Sequence, residues 1–260
     1  MLKILHSSDY HLRDQDISEA EKCLDFMADR AEAEKPDLII EAGDWFDSRG
    51  VKMESPAAKL AFRIVSRLAN IAPLVSVIGT ASHDGSAPEI LANVCAKHQV
   101  IIASRPMQVY LFTAAGKKYL ALEPHPGIEA VISLCPQPSK QFFQGTGTIS
   151  QGDQQIGQAM AGVFAGFGAQ ASQFPDSIHV LVGHFQVSNS RKNEKQILAG
   201  NDIEITRGQL ELSNANIFCL GHIHLRQEVF PTCFYSGSIY RKDFGELEEK
   251  GFYIHKIEKQ

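Results

Sequence analysis

The sequence has no long uninterrupted apolar run and no secretory signal. A membrane-spanning helix needs about 18 or more consecutive apolar residues, and no such run occurs among the 260 residues. The amino-terminal stretch MLKILHSSD lacks the basic region and the cleavage site of a signal peptide, and instead predicts a β-strand. We therefore expect a cytoplasmic protein that does not enter a membrane.

The sequence also lacks C-x-x-C cysteine pairs, a net positive charge and an obvious covalent nucleophile. The five cysteines are odd in number and form no C-x-x-C pair, which predicts reduced, mostly buried thiols. The formal net charge of −5 argues against a protein coated with nucleic acid, although it leaves room for a local basic groove. No serine or cysteine stands in a pattern with a base that would activate it, so we expect no covalent enzyme intermediate.

Buried strands alternate with amphipathic helices in the first part of the chain. The pattern predicts strands over 2–9, 37–44 and 73–79, separated by helices over 16–34 and 55–69. Such alternation is typical of βαβ units in a parallel sheet. Ligands of these sheets gather at the carboxyl ends of the strands, which is where polar motifs follow in this sequence.

The later part of the chain predicts shorter strands and one further helix. A hairpin is expected around Gly116, and the apolar residues of the Gly- and Ala-rich stretch 145–173 keep helical spacing. Strands over 177–184 and 216–222 end at polar motifs, and short closing strands follow. Together these elements predict an α/β fold in a single domain covering residues 1–260.

Five short motifs, far apart in sequence, predict one dinuclear metal site. They are Asp9-x-His11, Gly43-Asp44-x-x-Asp47, Ser82-His83-Asp84, Gly183-His184 and Gly221-His222-x-His224. Carboxylate oxygens combined with imidazole nitrogens suit manganese, iron or zinc. Two such ions about 3.5–4 Å apart clamp a phosphate and generate a hydroxide nucleophile, so the set of motifs predicts phosphoester hydrolysis.

The local pattern assigns roles to several of these residues. Asp9 and His11 should share one side of an extended strand end, because strand side chains alternate. Asp44 follows a buried strand and can bridge two ions through its two oxygens. Asp84 stands next to His83 and can orient it and keep it protonated for transfer to the leaving oxygen.

The remaining motif residues carry weaker assignments. His222 and His224 follow a strand two positions apart and can reach different ions, while His184 follows an equivalent strand. Asp47 is a candidate ligand, although the loop favours a position behind the ligands or in a turn. A lone histidine is more often structural than a ligand, and we assign the histidines outside the motifs to structural or surface positions. These are His6, His98, His125, His179 and His255.

The motifs resemble those of calcineurin-like metallophosphoesterases, whose pattern is D-x-H, G-D-x-x-D, G-N-H-D, G-H and G-H-x-H in the same order. Longer stretches are similar to the SbcD-type nucleases of double-strand-break repair. This narrower resemblance rests on PDLIIEAGDWFDS, VLVGHFQV and the segment from LGHIHLRQ to GFYIHKIE, and it extends over nearly the whole chain. Its most specific part contains Ser236-Gly237-Ser238, Glu246 and Lys250-Gly251.

The resemblance implies a fold, a ligand set, an activity and partners. The fold is an α/β sandwich of two mixed β-sheets flanked by helices. The resemblance assigns the first ion to Asp9, His11, Asp44 and His224, the second to Asp44, His184, His222 and the asparagine position, and catalysis to His83. It implies two divalent ions, manganese by preference, and exo- and endonucleolytic cleavage of DNA by attack of a metal-bound hydroxide. The implied partners are DNA and an SbcC-type ATPase, and a homodimer is a further expectation.

Two departures from the family pattern affect these expectations. The family's asparagine corresponds to Ser82 within GTASHDG, so we expect the serine to bind the second ion weakly or through water. Family members also add a capping domain after the catalytic core, and we expect that domain to be absent from this chain.

Two other functions stay open. A phosphoesterase acting on nucleotides or small phosphodiesters is favoured by the negative charge and the missing cap. A non-catalytic scaffold with weak metal binding is favoured only by Ser82. A basic groove beside the metals would favour DNA. Its candidate residues are Arg49, Arg191, Lys192 and Arg207.

Overall fold

Two β-sheets form the centre of the structure, a computed structural model that describes residues 1–138, 149–192, 203–243 and 245–258. The strands are β1 (Leu2–Ser7), β2 (Leu38–Glu41), β3 (Leu74–Val77), β4 (Val100–Ala103), β5 (Met107–Ala114), β6 (Lys117–Ala121), β7 (Ile128–Cys135), β8 (Ile178–His184), β9 (Gln186–Val187), β10 (Glu204–Ile205), β11 (Ile217–Gly221), β12 (Gln227–Phe230), β13 (Cys233–Tyr235) and β14 (Tyr253–Ile257).

Four α-helices are present in the described ranges, with two short 3-10 segments before α1 and after β3. The helices are α1 (Ile17–Glu34), α2 (Pro56–Ala69), α3 (Ile149–Ala171) and α4 (Arg207–Glu211). Residues 145–148 of the helix predicted over 145–173 lie outside the described residues. None of the helices in the described part combines the length and the apolar character that crossing a bilayer requires.

Both sheets are mixed, as the sequence predicted. The first has the order β14-β1-β2-β3-β4, in which β1 to β4 are parallel and β14 runs antiparallel to β1. The second has the order β12-β13-β11-β8-β7-β5-β6, with β7, β8, β11 and β13 parallel and the outer strands antiparallel. A separate two-stranded ladder joins β9 and β10.

Alternate side chains of the strands fill the space between the sheets. Ile4 and Ile40 of the first sheet pack there with Ile132 of the second. Their neighbours Leu5 and Ile39 point to the opposite face, where α1 and α2 cover the first sheet. The outer face of the second sheet packs against α3 and α4 in the same way. Because each buried aliphatic side chain contributes about 1.5–3 kcal/mol, these layers fix the two sheets face to face with helices outside.

The parallel strands direct their carboxyl ends to one edge of the sandwich. In the first sheet, β1, β2 and β3 end at Ser7, Glu41 and Val77. In the second sheet, β8 and β11 end at His184 and Gly221, which are direct partners in the ladder. All five sequence motifs therefore begin at or just beyond this edge.

A stack of aromatic rings that includes two histidines closes one side of the core. His255 Nε2 lies 3.4 Å from His6 Nδ1, and His6 Nε2 lies 3.2 Å from the carbonyl oxygen of Leu220. The rings of Phe234 and Tyr253 flank His255 at 4.8 and 5.1 Å. Burial lowers the pKa of His255 to about 4, and burial together with His255 lowers the pKa of His6 well below its ordinary value. Both histidines are thus held neutral in the fold.

This neutral pair should make the fold sensitive to mild acid. The unfolded chain takes up a proton on His255 near pH 6.5, whereas the folded chain does so only near pH 4. The free energy of unfolding should therefore decline as the pH falls through that window. His255→Phe, which keeps an aromatic ring, should reduce the slope by about one proton, or about 1.4 kcal/mol per pH unit. Denaturant unfolding at several pH values measures the slope. Leu122→Phe, at an exposed position that does not titrate, should leave it unchanged, and an equal slope in His255→Phe would contradict the assignment.

Candidate metal centre

Asp9, His11 and Asp44 lie in turns beyond the strands that precede them. The prediction that Asp9 and His11 share an extended strand end is wrong, because β1 ends at Ser7 and both residues have positive φ, 55° and 42°. Asp44 has φ 64°. The Asp9 N–H donates to Gly43 O and the His11 N–H donates to Asp44 O, each at 2.9 Å. The two turns therefore hold one another and bring the three side chains together.

Gly43 and Gly79 allow these turns to approach the rest of the site. Gly43 has φ 93°, and a Cβ there would lie 2.4 Å from His184 Nδ1 in the other sheet. A Cβ on Gly79 would lie 2.2 Å from Asp44 Oδ1. Any side chain at either position would push apart groups that now touch, so glycine is a steric requirement of the site.

Asp9, His11 and His224 form the first cluster. One ligand atom from each lies within 4.8 Å of the others. His11 Nε2 lies 3.0 Å from His224 Nε2, and each of these nitrogens lies 3.8 Å from Asp9 Oδ1. These three residues are among the four that the resemblance assigned to the first ion.

Asp9, Asp44 and His184 form a second cluster with the same spacing. Asp44 Oδ2 lies 3.3 Å from His184 Nε2 and 3.5 Å from His11 Nε2, so this carboxylate faces both clusters. The His222 ring lies 5.2 Å from the His184 ring, and its backbone N–H donates to both oxygens of Asp9 at 3.1 Å. The structure thus places His222 beside the second cluster and His224 in the first.

His83 lies next to the first cluster, together with Asp47 and His11 in a third group of possible ligands. Its ring meets the His11 ring edge-on at 4.7 Å. His83 Nδ1 lies 3.1 Å from the Asp47 carbonyl oxygen. A carbonyl only accepts hydrogen bonds, so Nδ1 carries a proton and Nε2 is the nitrogen left for proton exchange.

Asp84 does not orient His83 as the sequence suggested. Its carboxylate accepts the backbone N–H groups of Asp44 and Gly79 at Oδ2 and of Phe46 at Oδ1, at 2.9 to 3.1 Å. Burial, followed by the charge of Asp44, raises the pKa of Asp84 to about 7. Asp84 therefore ties the loop after β3 to the loop after β2. The group that binds His83 is the backbone carbonyl of Asp47, where the sequence had predicted the Asp84 carboxylate.

Ser82 is exposed, and its backbone carbonyl accepts the N–H of Arg49 at 3.2 Å. Thr80, which the sequence motifs did not single out, lies beside Asp44 and His184 of the second cluster instead. Thr80 Oγ1 is 3.1 Å from Asp44 Oδ2 and 3.5 Å from His184 Nε2. The signal was present in the motif itself, because GTASHDG has two more residues between glycine and histidine than G-N-H-D. The residue directly after the glycine is threonine.

Asp47 lies on the Nδ1 side of the His11 ring, whereas the first cluster lies on the Nε2 side. Its Oδ1 lies 3.5 Å from His11 Nδ1 and 2.5 Å from Lys242 Nζ, and its Oδ2 lies 3.7 Å from Arg13 Nη1. Burial alone would raise the pKa of Asp47, but the neighbouring His11 and the hydrogen bond from Lys242 outweigh it and hold the pKa far below its ordinary value. The ionised carboxylate lies against the Nδ1 side of the His11 ring. Sequence reasoning missed Lys242 and Arg13, because neither belongs to a motif.

The carboxyl-terminal segment supports the first cluster. Ser8 Oγ lies 2.5 Å from Asp9 Oδ2 and 2.7 Å from Ser236 Oγ. The Ser238 N–H donates to the His224 carbonyl at 3.2 Å, and Lys250 Nζ donates to Ser238 Oγ at 2.8 Å. The stretch that carried the narrower resemblance therefore holds the ligands of one cluster in place.

The donor set fits divalent cations. Burial lowers the pKa of His184, but the charge and hydrogen bond of Asp44 and the charge of Asp9 outweigh it and raise the pKa to about 10. Without a bound cation, a proton on His184 offsets the buried negative charge. Cations held by the two clusters would supply that positive charge themselves, with carboxylate and imidazole ligands of the type that such ions take.

The residues considered for a basic groove do not share one environment. Arg49 is exposed beside the loop that contains His83, through its bond to Ser82. Arg191 and Lys192 are exposed. Arg207 pairs with Glu211 at 2.7 Å and covers the Phe230 ring at 4.9 Å. Within the described ranges, Arg49 is the one of the four with a contact that ties it to the rim of the metal centre.

Comparison with known proteins places the fold among solved structures. No protein-family model matches the chain. The chain is similar to GAP50, the anchor in the inner membrane complex of Plasmodium, with a TM-score of 0.58 and 14% identity over 98% of this chain and 80% of that chain. It is also similar to the calcineurin-like phosphoesterase YfkN from Bacillus subtilis, with a TM-score of 0.47 and 11% identity over 97% of this chain and 87% of that one. Identities this low leave the activity to be argued from the residues of the site.

Removing the Asp84 carboxylate should destabilise the protein. Asp84→Ala leaves three N–H groups without their acceptor, and each unpaired buried donor costs about 1–3 kcal/mol. We expect the free energy of unfolding to fall by about 3 kcal/mol or more, with a smaller loss in Asp84→Asn. Denaturant unfolding measures this, with Asp176→Ala at an exposed position as the control. Loss of activity with unchanged stability would instead assign Asp84 to catalysis.

Binding of metal at the second cluster should release a proton. His184 holds a proton below about pH 10, and a metal binds only the neutral imidazole. At pH 7 we expect about one proton to be released from His184 per chain, with the release disappearing as the pH rises through 10. Titration calorimetry in two buffers of different ionisation enthalpy measures the number. His184→Asn should abolish this release, and a buffer-independent heat in the unmodified protein would contradict the assignment.

Proposed function

We propose that the protein is a metal-dependent phosphoester hydrolase, and more specifically a DNA nuclease of the SbcD type. The main support for a metal-dependent hydrolase is that the first and second clusters overlap. Asp9 belongs to two clusters, Asp44 faces both, and the ligand atoms of each lie within 4.8 Å of one another. Two adjoining sites that share carboxylates are the arrangement that two-ion phosphoester hydrolysis requires.

Different side chains of the protein would hold the two ions in the proposed reaction. Asp9, His11 and His224 would hold one ion, and Asp44 and His184, with His222 beside them, would hold the other. Bound there, the two ions would act as Lewis acids on a phosphate and supply an activated water nucleophile. The chain itself fixes the positions of these ligands and surrounds them with protein, since Asp9, Asp44 and His184 are buried.

His83 is the proposed proton donor to the leaving oxygen. Its Nδ1 is fixed on the Asp47 carbonyl, so a proton on Nε2 is the one that can be transferred. The side chain is half-buried, in keeping with access to a substrate. A group of this kind contributes about 10²–10⁴-fold to the rate.

The assignment to DNA rests on the resemblance of the carboxyl-terminal segment to SbcD-type nucleases. Support comes from the contacts of that segment with the site, since Ser236 and Ser238 adjoin Ser8 and His224. Arg49 at the rim would contact a phosphate of an extended strand. In the proposal manganese is the preferred metal, and the partners are DNA, an SbcC-type ATPase and a second copy of the chain.

An assay of the protein with Mn²⁺ tests the proposal. We expect hydrolysis of single- or double-stranded DNA to exceed that of bis(p-nitrophenyl) phosphate, and chelation of the metal to abolish both. His83→Ala should lower turnover by about 10²–10⁴-fold while metal binding persists. His125→Ala is the matched control, because His125 precedes the amino-terminal end of β7, at the opposite edge of the sheet from His184.

The outcomes separate the alternatives. Hydrolysis of nucleotides or small phosphodiesters without DNA cleavage would overturn the nuclease proposal and keep the hydrolase. Metal binding without hydrolysis of any of these substrates would indicate a scaffold. Loss of metal in His83→Ala would make His83 a ligand, as its place in the group with His11 and Asp47 allows.

A further inference from the structure

We propose that Thr80 Oγ1 is the neutral oxygen ligand of the second ion, in the place that the family pattern gives to asparagine. This inference rests on the proposed two-ion function and names a ligand specific to this chain. It replaces Ser82, whose alignment with that asparagine follows only from its position before His83.

The position of the Thr80 hydroxyl is that of a ligand. Oγ1 lies 3.1 Å from Asp44 Oδ2 and 3.5 Å from His184 Nε2, and those two atoms lie 3.3 Å from each other. The three atoms thus form a nearly equilateral triangle of one carboxylate oxygen, one imidazole nitrogen and one hydroxyl oxygen. Small shifts of the side chains would let all three approach one cation at bond distances of about 2.0–2.3 Å.

The backbone fixes Thr80 at this point. Its N–H donates to Asp44 Oδ1, and its carbonyl accepts the N–H groups of His83 and Asp84, both at 2.9 Å. The preceding Gly79 is pressed against Asp44, where a Cβ would lie 2.2 Å from Oδ1. The loop therefore cannot withdraw the threonine from Asp44 without breaking several bonds, and the hydroxyl is held towards the second cluster by its own contact with Asp44 Oδ2.

The chemistry of a threonine ligand differs from that of asparagine. A neutral hydroxyl is a hard oxygen donor and favours ions such as Mn²⁺ or Mg²⁺ over softer ones. The two additional residues before His83 explain how the loop can supply it. They let Thr80 follow Gly79 directly while His83 still reaches the Asp47 carbonyl. In contrast, the exposed Ser82 uses its backbone to bind Arg49.

Metal titration of matched variants tests this ligand. Calorimetry with Mn²⁺ should find two ions per chain in the unmodified protein. Thr80→Val should weaken the second ion by about tenfold or more and spare the first, while Thr80→Ser and Ser82→Ala bind like the unmodified protein. If Thr80→Val does not fold, Thr80→Ala gives the same comparison. A hydroxyl that only orients Asp44 would weaken both ions, because that carboxylate faces both clusters.

Thiol substitution gives a readout that only direct coordination produces. Thr80→Cys titrated with Cd²⁺ should develop the ultraviolet charge-transfer band of a cadmium–thiolate bond, with one ion per chain, over the background of the native cysteines. Ser82→Cys is the control and should show no added band. A band in Ser82→Cys alone, no band in either variant, or unchanged Mn²⁺ binding in Thr80→Val would overturn the inference. Failure of the unmodified protein to bind two ions would instead overturn the proposed function, and the inference with it.

Discussion

The buried carboxylate of Asp44 is the group around which the rest of the centre is arranged. A carboxylate removed from water costs several kcal/mol unless it is paired and hydrogen-bonded. Here both oxygens are bonded to Thr80, and imidazoles of both clusters lie within 3.5 Å of Oδ2. Each of those neighbours is itself fixed by a backbone contact. The charge of one side chain thus determines which loops must meet at the edge of the sandwich.

The loops come from both sheets, and their meeting joins the sheets at this edge. His184 at the end of β8 directs Nδ1 to the carbonyl of Ala42, 2.6 Å away at the end of β2. Gly43 keeps that approach open. Asp9 receives the backbone N–H of His222 from the other sheet. Farther from this edge the sheets meet mainly through apolar packing, with isolated polar contacts such as that of Lys118 with Asp37.

The sequence was sufficient for the architecture and for the types of residue in the centre. The apolar periodicity predicted the strands and helices, because it reports which face of each element is buried, and the family resemblance supplied the arrangement in two mixed sheets. Neither could predict the turns. Asp9 and His11 meet through backbone bonds to Gly43 and Asp44, and such long-range pairing has no local signature.

The loop after β3 is a second feature that could not be predicted from the sequence. Alignment by its histidine selected Ser82 and paired Asp84 with His83. In the structure, Thr80 directly after the glycine contacts Asp44 and His184, and Asp84 accepts backbone N–H groups. Where two residues are added inside a motif, sequence order alone cannot tell which neighbour keeps its place. That decision depends on hydrogen bonds made only in the folded chain.

Four residues of the centre have the left-handed backbone conformation that side chains other than glycine rarely adopt. They are Asp9, His11, Asp44 and His222, with φ between 42° and 91°. Glycine would relieve that strain at each position. At Asp44, however, glycine would also remove the carboxylate that contacts Thr80, His11 and His184, so relief of strain and loss of these contacts oppose each other. These turns therefore combine strained backbone with side chains that hold the loops together, and a glycine at any of them would exchange one for the other.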